Sequence, residues 1–250
     1  HMMMTTRLTV EVSGIDYENI EAFTACIEKA GLSIGGTGNK VRPVVSCKGT
    51  TCQYGNYDTY ALSEEIHHRF YEGYRSVSLP HKFKIATGGC PNNCVKPNLN
   101  DVGIIGINIP NYKTELCRGC KKCKIEEACP MHAVKVIDGK ITRDTSVCNT
   151  CGRCVGKCVF HCNDESTKGW RMYVGGRWGK KVAQGKMLSK VFTDKEDVLN
   201  TIEKVILFFK SEGIAGERLA DTVERVGFEK AEAMILGDEL FARKDEILEK

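Results

Sequence analysis

Two hydrophobic rhythms alternate along this chain and then stop for about fifty residues. Residues 6–12 place Leu8, Val10 and Val12 two apart, which predicts a half-buried strand. Asp16 then opens an amphipathic helix with Ile20, Phe23 and Ile27 on one face, stopping at Gly31. VRPVV (41–45) reads as a second strand running into Cys47, and Asp58 caps a helix that carries Leu62, Ile66 and Phe70 and ends near Gly73. KFKIA (82–86) and VGIIGI (102–107) predict two further strands. Cysteine, lysine and short turns then replace the apolar pattern until Asp164. The pattern returns with RMYVGGRWG (171–179), a strand broken by glycines, and with three helical stretches beginning near Asp194, Glu217 and Phe228. The first of these has Asp194 as its cap, Asp197 three residues on, and an apolar face of Val198, Ile202, Val205, Ile206 and Phe209. Strand and helix pieces around one foreign segment predict a layered α+β domain with an insertion over roughly 110–164.

Composition narrows this picture. With 250 residues, 42% of them hydrophobic, the chain can bury a substantial core. No apolar run approaches the ~20 residues of a membrane span, so no membrane partner is expected. The start, HMMMTTRLTV, lacks the basic and apolar regions of an export signal, and His1 and Met2 read as a cloning remnant. A net charge of +4 with dispersed basic residues gives no support to nucleic-acid binding. Fourteen cysteines without an export signal are expected in a reducing, anaerobic cytoplasm, as thiolate ligands rather than disulfides.

The later cysteines read CRGCKKCKIEEACP (117–130) and CNTCGRCVGKC (148–158), two near-copies of a Cys-x2-Cys-x2-Cys run with a fourth cysteine downstream. This is the ligand spacing of a two-cluster bacterial ferredoxin. One short loop wraps three corners of a cubane and the fourth ligand crosses over from the other half. Cys117, Cys120, Cys123 and Cys158 are therefore assigned to one 4Fe-4S cluster, and Cys148, Cys151, Cys154 and Cys129 to the other. Five residues rather than three separate Cys123 from Cys129, so the first loop is expected to bulge, and Val159 stands where proline is usual. Paired zinc sites are the alternative, but the third cysteine in each half is surplus to tetrahedral zinc. Lys121, Lys122 and Lys124 beside the first run form either a docking patch for an acidic electron donor or an ordinary solvated face.

The earlier cysteines lie in VRPVVSCKGTTCQYG (41–55) and LPHKFKIATGGCPNNCVKPNLNDVGIIG (79–106). On these residues the chain closely resembles the sirohaem-binding sulfite and nitrite reductases, of the small anaerobic type with an inserted ferredoxin domain. The resemblance covers nearly the whole chain. It implies a sulfite-reductase-like α+β domain and a third 4Fe-4S cluster held by Cys47, Cys52, Cys90 and Cys94, with Cys94 bridging to the sirohaem iron. CKGTTC has four residues between its cysteines where the commonest family form has five. The resemblance places Arg42, Lys82 and Lys84 in the substrate pocket, and Arg7 on the sirohaem carboxylates. Residue chemistry agrees, because sirohaem is a polycarboxylate and sulfite an oxyanion, and both need fixed cations. Lys82 and Lys84, two apart on the way into Cys90, share one strand face. Gly88, Gly89 and Pro91, with Gly49 and Gly55, make loops tight enough for backbone to approach a cluster. Gly175, Gly176, Arg177, Lys180 and Lys181 are offered to the macrocycle rim, against the plainer reading of a β-bulge with surface cations.

The implied activity is reduction of sulfite or nitrite, with electrons from reduced ferredoxin or another donor entering through the inserted clusters. The competing reading is an electron-relay subunit without sirohaem. The expected division is a partial ferredoxin-like segment (1–45), the sirohaem and 4Fe-4S domain (46–109 and 165–250) and the insertion (110–164). Relatives carry a further stretch upstream, so a second copy or a partner subunit is expected to complete the site. Asn92, Asn93 and Asn100 are expected to make turn hydrogen bonds, and His67, His68, His132 and His161 to lie in loops or at the surface. Cys26, at core spacing on its helix, is expected to be a buried free thiol, and Cys162 to be spare.

Overall fold

The computed structural model describes residues 1–249. Its first forty residues form an arm. Strand β1 (Met2–Met4) pairs antiparallel with β2 (Val10–Val12), from Met2 opposite Val12 to Met4 opposite Val10. Helix α1 (Ile20–Lys29) follows. The expected half-buried strand over 6–12 is corrected here. Leu8 turns the hairpin at φ 61°, and Val10 remains 51% exposed because nothing among the described residues covers the two-stranded ribbon. Cys26 is likewise exposed rather than buried, since no residue of α1 is buried.

Beyond the arm the strand–helix rhythm builds one sheet. Only Val45–Ser46 of the VRPVV region forms ladder (β3); Val41 makes an isolated bridge to Phe83. Pro43, which has no N–H, lies between them and explains the interruption. Helix α2 (Thr59–Ile66) starts where Asp58 accepts from the N–H groups of Tyr60 and Ala61, both at 3.0 Å. A π-helical turn (67–72) continues it to Gly73. Strand β4 (Ile85–Gly88) then lies parallel to β3, and β5 (Val102–Pro110) parallel to β4, Ile85 opposite Val102.

The chain leaves β5 at Pro110 and builds a small subdomain: α3 (Lys124–Ala128), β6 (Val134–Ile137) and β7 (Lys140–Arg143), the last two an antiparallel pair. It returns as β8 (Ser166–Val174), antiparallel to β5 from Pro110 opposite Ser166 to Val102 opposite Val174. Entry and exit of the insertion are thus paired residues of one hairpin, so it closes without disturbing the sheet. The expected bulge between Cys123 and Cys129 takes the form of α3. Strand β9 (Lys186–Met187) completes the order β3-β4-β5-β8-β9.

One sheet face carries Ile85, Val102, Ile104, Met172 and Val174, all buried against α2 and the long helix α4 (Lys195–Glu212). The Asp194 carboxylate caps α4 by accepting from Asp197 N–H at 3.0 Å. Val198, Ile202, Val205, Ile206 and Phe209 are fully buried, as their spacing predicts, with the Phe209 ring 6.0 Å from Phe83. Helices α5 (Leu219–Val226), α6 (Phe228–Leu236), α7 (Glu239–Ala242) and α8 (Lys244–Glu249) pack around α4. Among the described residues no helix is long and apolar enough to cross a membrane.

Candidate metal centre and anion pocket

Parallel pairing of β3 and β4 brings the first cysteine set together. Both strands run the same way, so the loops that follow them, Cys47–Cys52 and Cys90–Cys94, emerge at one end of the sheet. Cys47 N–H donates to Thr87 O at 3.0 Å, and Gly89 N–H donates to Cys47 Sγ at 3.1 Å. The loops then touch backbone to backbone. A Cβ on Gly49 would fall 2.5 Å from Thr59 Cγ2, and one on Gly89 would fall 2.9 Å from Gly49 Cα. Cys90 feels the charge of Cys94, Cys47 and Cys52 together, after burial the main influences that push its thiol up. Cys47, Cys52 and Cys90 are half-buried, whereas Cys94 is exposed.

The tight turn holding Cys94 uses Asn93 and Lys96, both at positive φ, 57° and 48°. Asn93 Nδ2 donates to Asn98 Oδ1 at 2.7 Å, and Asn100 Nδ2 donates to Lys96 O at 3.1 Å. Gly175 and Gly176 brace this turn: Gly175 N–H donates to Asp101 O at 2.9 Å, and a Cβ on Gly176 would meet Asn98 O at 2.4 Å.

The cations gather at the other end of the same strands. Lys82 and Lys84 flank the buried Phe83 and so point to the face opposite it. Arg7 reaches in from the arm, donating to Pro43 O at 3.0 Å and to Asn100 Oδ1 at 2.9 Å. Arg42 donates to Gly36 O. Their buried counter-charge is Asp101 at the head of β5, which accepts both Nη2 bonds of Arg218, at 2.7 and 3.0 Å, and the Lys84 N–H at 2.9 Å. Burial pushes the Asp101 carboxyl up, against the pull of Arg218. Burial, then Arg7, Arg218 and Lys82, push Lys84 down to about 8, and burial with Arg42 and Arg218 pushes Arg7 down to about 10. His81 is also pushed down by burial and by Arg218, Lys82 and Arg42. Among the described residues Arg42 Nε and Arg218 Nε are buried donors without a partner. Unpaired guanidinium N–H groups amid excess positive charge fit an anionic ligand.

Lys84 and Cys90 are therefore not neighbours, whereas Arg7, through Asn100, meets the turn that holds Cys94. Lys84 precedes β4 and Cys90 follows it, with about 13 Å of strand between Lys84 and Gly88. Arg177 is committed elsewhere: its Nη1 is 2.7 Å from both carboxylate oxygens of Asp221. Lys180 and Lys181 lie exposed in the loop closed by the Arg177–Ala183 bridge. Asp101, Arg218 and His81 escaped sequence reasoning. Asp101 carried a signal, a charged residue abutting a purely apolar strand, but its pairing with Arg218 spans 117 residues.

In the insertion, Cys129, Cys148, Cys151 and Cys154 line one cavity with Pro110, Val134 and Gly152. This is the crossed set that spacing assigned to one cluster, drawn from both halves. Tyr112 Oη lies 3.3 Å from Cys154 Sγ. On the other side Cys117, Cys123 and Cys158 gather, with Cys120 exposed. Cys162 joins them, buried; burial first and then Cys158 push its thiol up. Among the described residues no three of His, Cys, Asp or Glu close on a single ion. The thiols are grouped but spread, which suits the corners of a cubane better than one zinc.

A second cavity, of about 200 Å³, separates the two cysteine regions and is lined by Pro91, Asn93, Ile105, Ile107, Asn149 and Tyr173 among others. His68 pairs with Glu72 at 2.7 Å and His161 with Asp164 at 2.6 Å, both exposed.

Residues 37–242 match the family model described as the nitrite and sulphite reductase 4Fe-4S domain. The chain is 33% identical over 230 residues to the coenzyme F420-dependent sulfite reductase of Methanocaldococcus jannaschii, covering 91% of this chain and 36% of that protein. It is 29% identical to one of the subunits of the anaerobic sulfite reductase of Salmonella typhimurium, covering 86% of this chain and 66% of the relative. Its fold matches dissimilatory sulfite reductase I with a TM-score of 0.64 at 22% identity, covering 87% of this chain and 57% of that one. The chain thus spans between about a third and two thirds of the length of these relatives. The matched span takes in both ends of the sheet and the insertion between them, and on that ground the chain belongs to the nitrite and sulphite reductase 4Fe-4S domain family.

Proposed function

We propose that this chain is the cluster-bearing part of a sirohaem-dependent reductase of sulfite or nitrite, with electrons entering through two 4Fe-4S clusters in the insertion. The observation that carries this reading is the meeting of Cys47, Cys52, Cys90 and Cys94 at one sheet end, three of them half-buried and Cys94 turned outward. Three inward thiolates with a fourth at the surface suit a cluster that hands electrons to a second group through Cys94. Sirohaem supplies a redox-active iron at which the oxyanion is held and reduced.

The chain's own residues hold the anion and move protons. Arg42, with a free Nε, and Lys82 grip an oxyanion, while Arg7 is placed to meet macrocycle carboxylates. Lys84, with its ammonium near 8, remains protonated at neutral pH yet can release a proton from Nζ as an S–O or N–O bond breaks. Asp101 and Arg218 position Lys84 and set its charge environment. Because Lys84 sits a strand length from Cys90, the cations serve the site of a second copy or related subunit, whose own cations complete this one.

Iron, acid-labile sulfide and extractable chlorin are to be measured on anaerobically prepared protein. The reading expects three clusters and one sirohaem per chain, with Cys94→Ser losing electronic coupling between cluster and sirohaem while Cys120→Ser leaves the sirohaem spectrum intact. Protein with clusters and no chlorin would identify a relay subunit instead. A monomer that reduces sulfite unaided would rule out the shared site.

A further inference from the structure

The two halves of the insertion repeat each other more closely than their ligands alone require. Cys129-Pro-Met-His-Ala133 in the first half corresponds to Cys158-Val-Phe-His-Cys162 in the second. The backbone repeats as well. His132 and His161 both lie in the left-handed region, at φ 51° and 59°, and each donates its N–H to the cysteine three residues back, at 3.2 and 3.1 Å. Position five of each segment turns inward: Ala133 is 3% exposed and Cys162 is 1% exposed, and both belong to the same small core. An alanine fills that slot as a spacer in one half. In the other half the slot holds a thiol.

That thiol is not an isolated core cysteine. It packs in a small core that holds Cys117, Cys123 and Cys158, three of the expected ligands of the first ferredoxin cluster, and these are the thiols whose charge it feels. Cys158 is itself only half-buried, and it lacks the proline that follows Cys129 at the matching position. The site thus has five thiols for four cluster corners, and the surplus one is the more deeply buried of the adjacent pair.

We infer that Cys162 is a reserve ligand of the first ferredoxin cluster, able to replace Cys158 as its fourth thiolate. The exchange is redox-neutral. One Fe–S bond to Cys158 would break, one to Cys162 would form, and the Cys162 thiol proton would pass to the departing Cys158 sulfur. The second cluster has no such reserve, because Ala133 occupies the matching slot, and that asymmetry supplies an internal control. The inference rests on the proposed ligation of the insertion by two 4Fe-4S clusters.

Iron content and low-temperature electron paramagnetic resonance of the full chain, prepared anaerobically, test it. Cys158→Ala should keep the wild-type iron content and the signals of both reduced ferredoxin clusters. Cys129→Ala should lose about four irons or show a three-iron signal, as should Cys158→Ala combined with Cys162→Ala. If Cys158→Ala behaves like Cys129→Ala, the reserve role is overturned while the cluster assignment stands. If the wild-type insertion holds no clusters, the underlying ligation fails instead. Should Cys158→Ala not accumulate, chelator kinetics on Cys162→Ala decide the matter, since alanine at that slot is already tolerated in the other half. The first cluster should then lose iron about tenfold faster than in wild type, and an unchanged rate would overturn the proposal.

Discussion

The two cysteine-bearing regions are stabilised in opposite ways. The first set hangs from the ends of β3 and β4, strands backed by a continuous core that includes Ile85, Ile104, Met172, Ile206 and Phe209. Its loops are held by protein packing, because Gly49 and Gly89 meet backbone to backbone. The insertion has no comparable core. Of the eight buried residues in its hydrophobic cluster, Cys117, Cys129, Cys154 and Cys162 are cysteines, so half of that small core is thiol rather than hydrocarbon. A chain segment of this size buries too little apolar surface to hold itself. One region positions its cysteines by folding; on the proposed ligation the other needs metal bound to them in order to fold.

Removing iron is the largest perturbation of that contrast. Anaerobic chelation should unfold the insertion while the sheet survives, since metal binding energy there is folding energy. Amide hydrogen exchange should show residues 111–165 losing protection, with β4, β5, β8 and α4 retaining it. Uniform loss would mean that the core also leans on its cluster; uniform protection would mean that the small core around Ile125, Val134 and Ile141 suffices.

The next test removes a charge instead of a metal. Asp101 is the buried carboxylate facing Arg218, Lys84 and Arg7, so Asp101→Asn leaves cations packed together without compensation. A loss of about 3–5 kcal/mol in denaturant unfolding of the sheet domain is expected. Hydrogen exchange in the insertion should be unchanged, because the pair lies at the far end of β5. A loss under ~1 kcal/mol would place the pair among solvent-screened ones.

These contrasts also explain what could be read in advance. Helix α4 was legible because its cap and apolar face are local, and both stand as expected. That Cys129, Cys148, Cys151 and Cys154 share one cavity was legible because short fixed spacings keep such cysteines together. The strand over 6–12 was misread because alternation announces a face, not whether anything in the same chain covers it. Cys26 failed for the same reason. Lys82 and Lys84 were legible as one strand face, but the length of β4 that separates Lys84 from Cys90 was not. Asp101 with Arg218 was beyond reach, since the pairing depends on where α5 docks.

Packing at the cysteine end can be probed without touching a ligand. Gly106 lies where a Cβ would come 2.4 Å from Tyr57 Cδ1 and 2.6 Å from Gly89 O. Gly106→Ala should therefore destabilise the sheet domain by about 1–3 kcal/mol through overpacking. The strain falls on Gly89, next to Cys90, so the spectrum of the first cluster should shift while the insertion's clusters keep theirs. An unshifted spectrum would show that the two loops can slide without moving their thiols.

The smallest effect expected belongs to the cation end. Lys84 is held down to about 8, first by burial and then by Arg7, Arg218 and Lys82, so its charge is present below that pH and is lost above it. Nitrite keeps one negative charge across this window, so its affinity reports on the protein alone. Binding should weaken as pH rises from 7 to 9, by about tenfold where the ammonium is essential, or about 1.4 kcal/mol. Arg7 does not mimic the effect, because its own depressed value, about 10, lies above the window. His81 is pushed below its ordinary range and is neutral throughout. Lys84→Met should bind nitrite more weakly at pH 7 and respond little to pH, whereas Lys82→Met should weaken binding and keep the dependence. A pH profile that survives Lys84→Met would assign the titration to another group and separate the anion pocket from the strand that leads to Cys90.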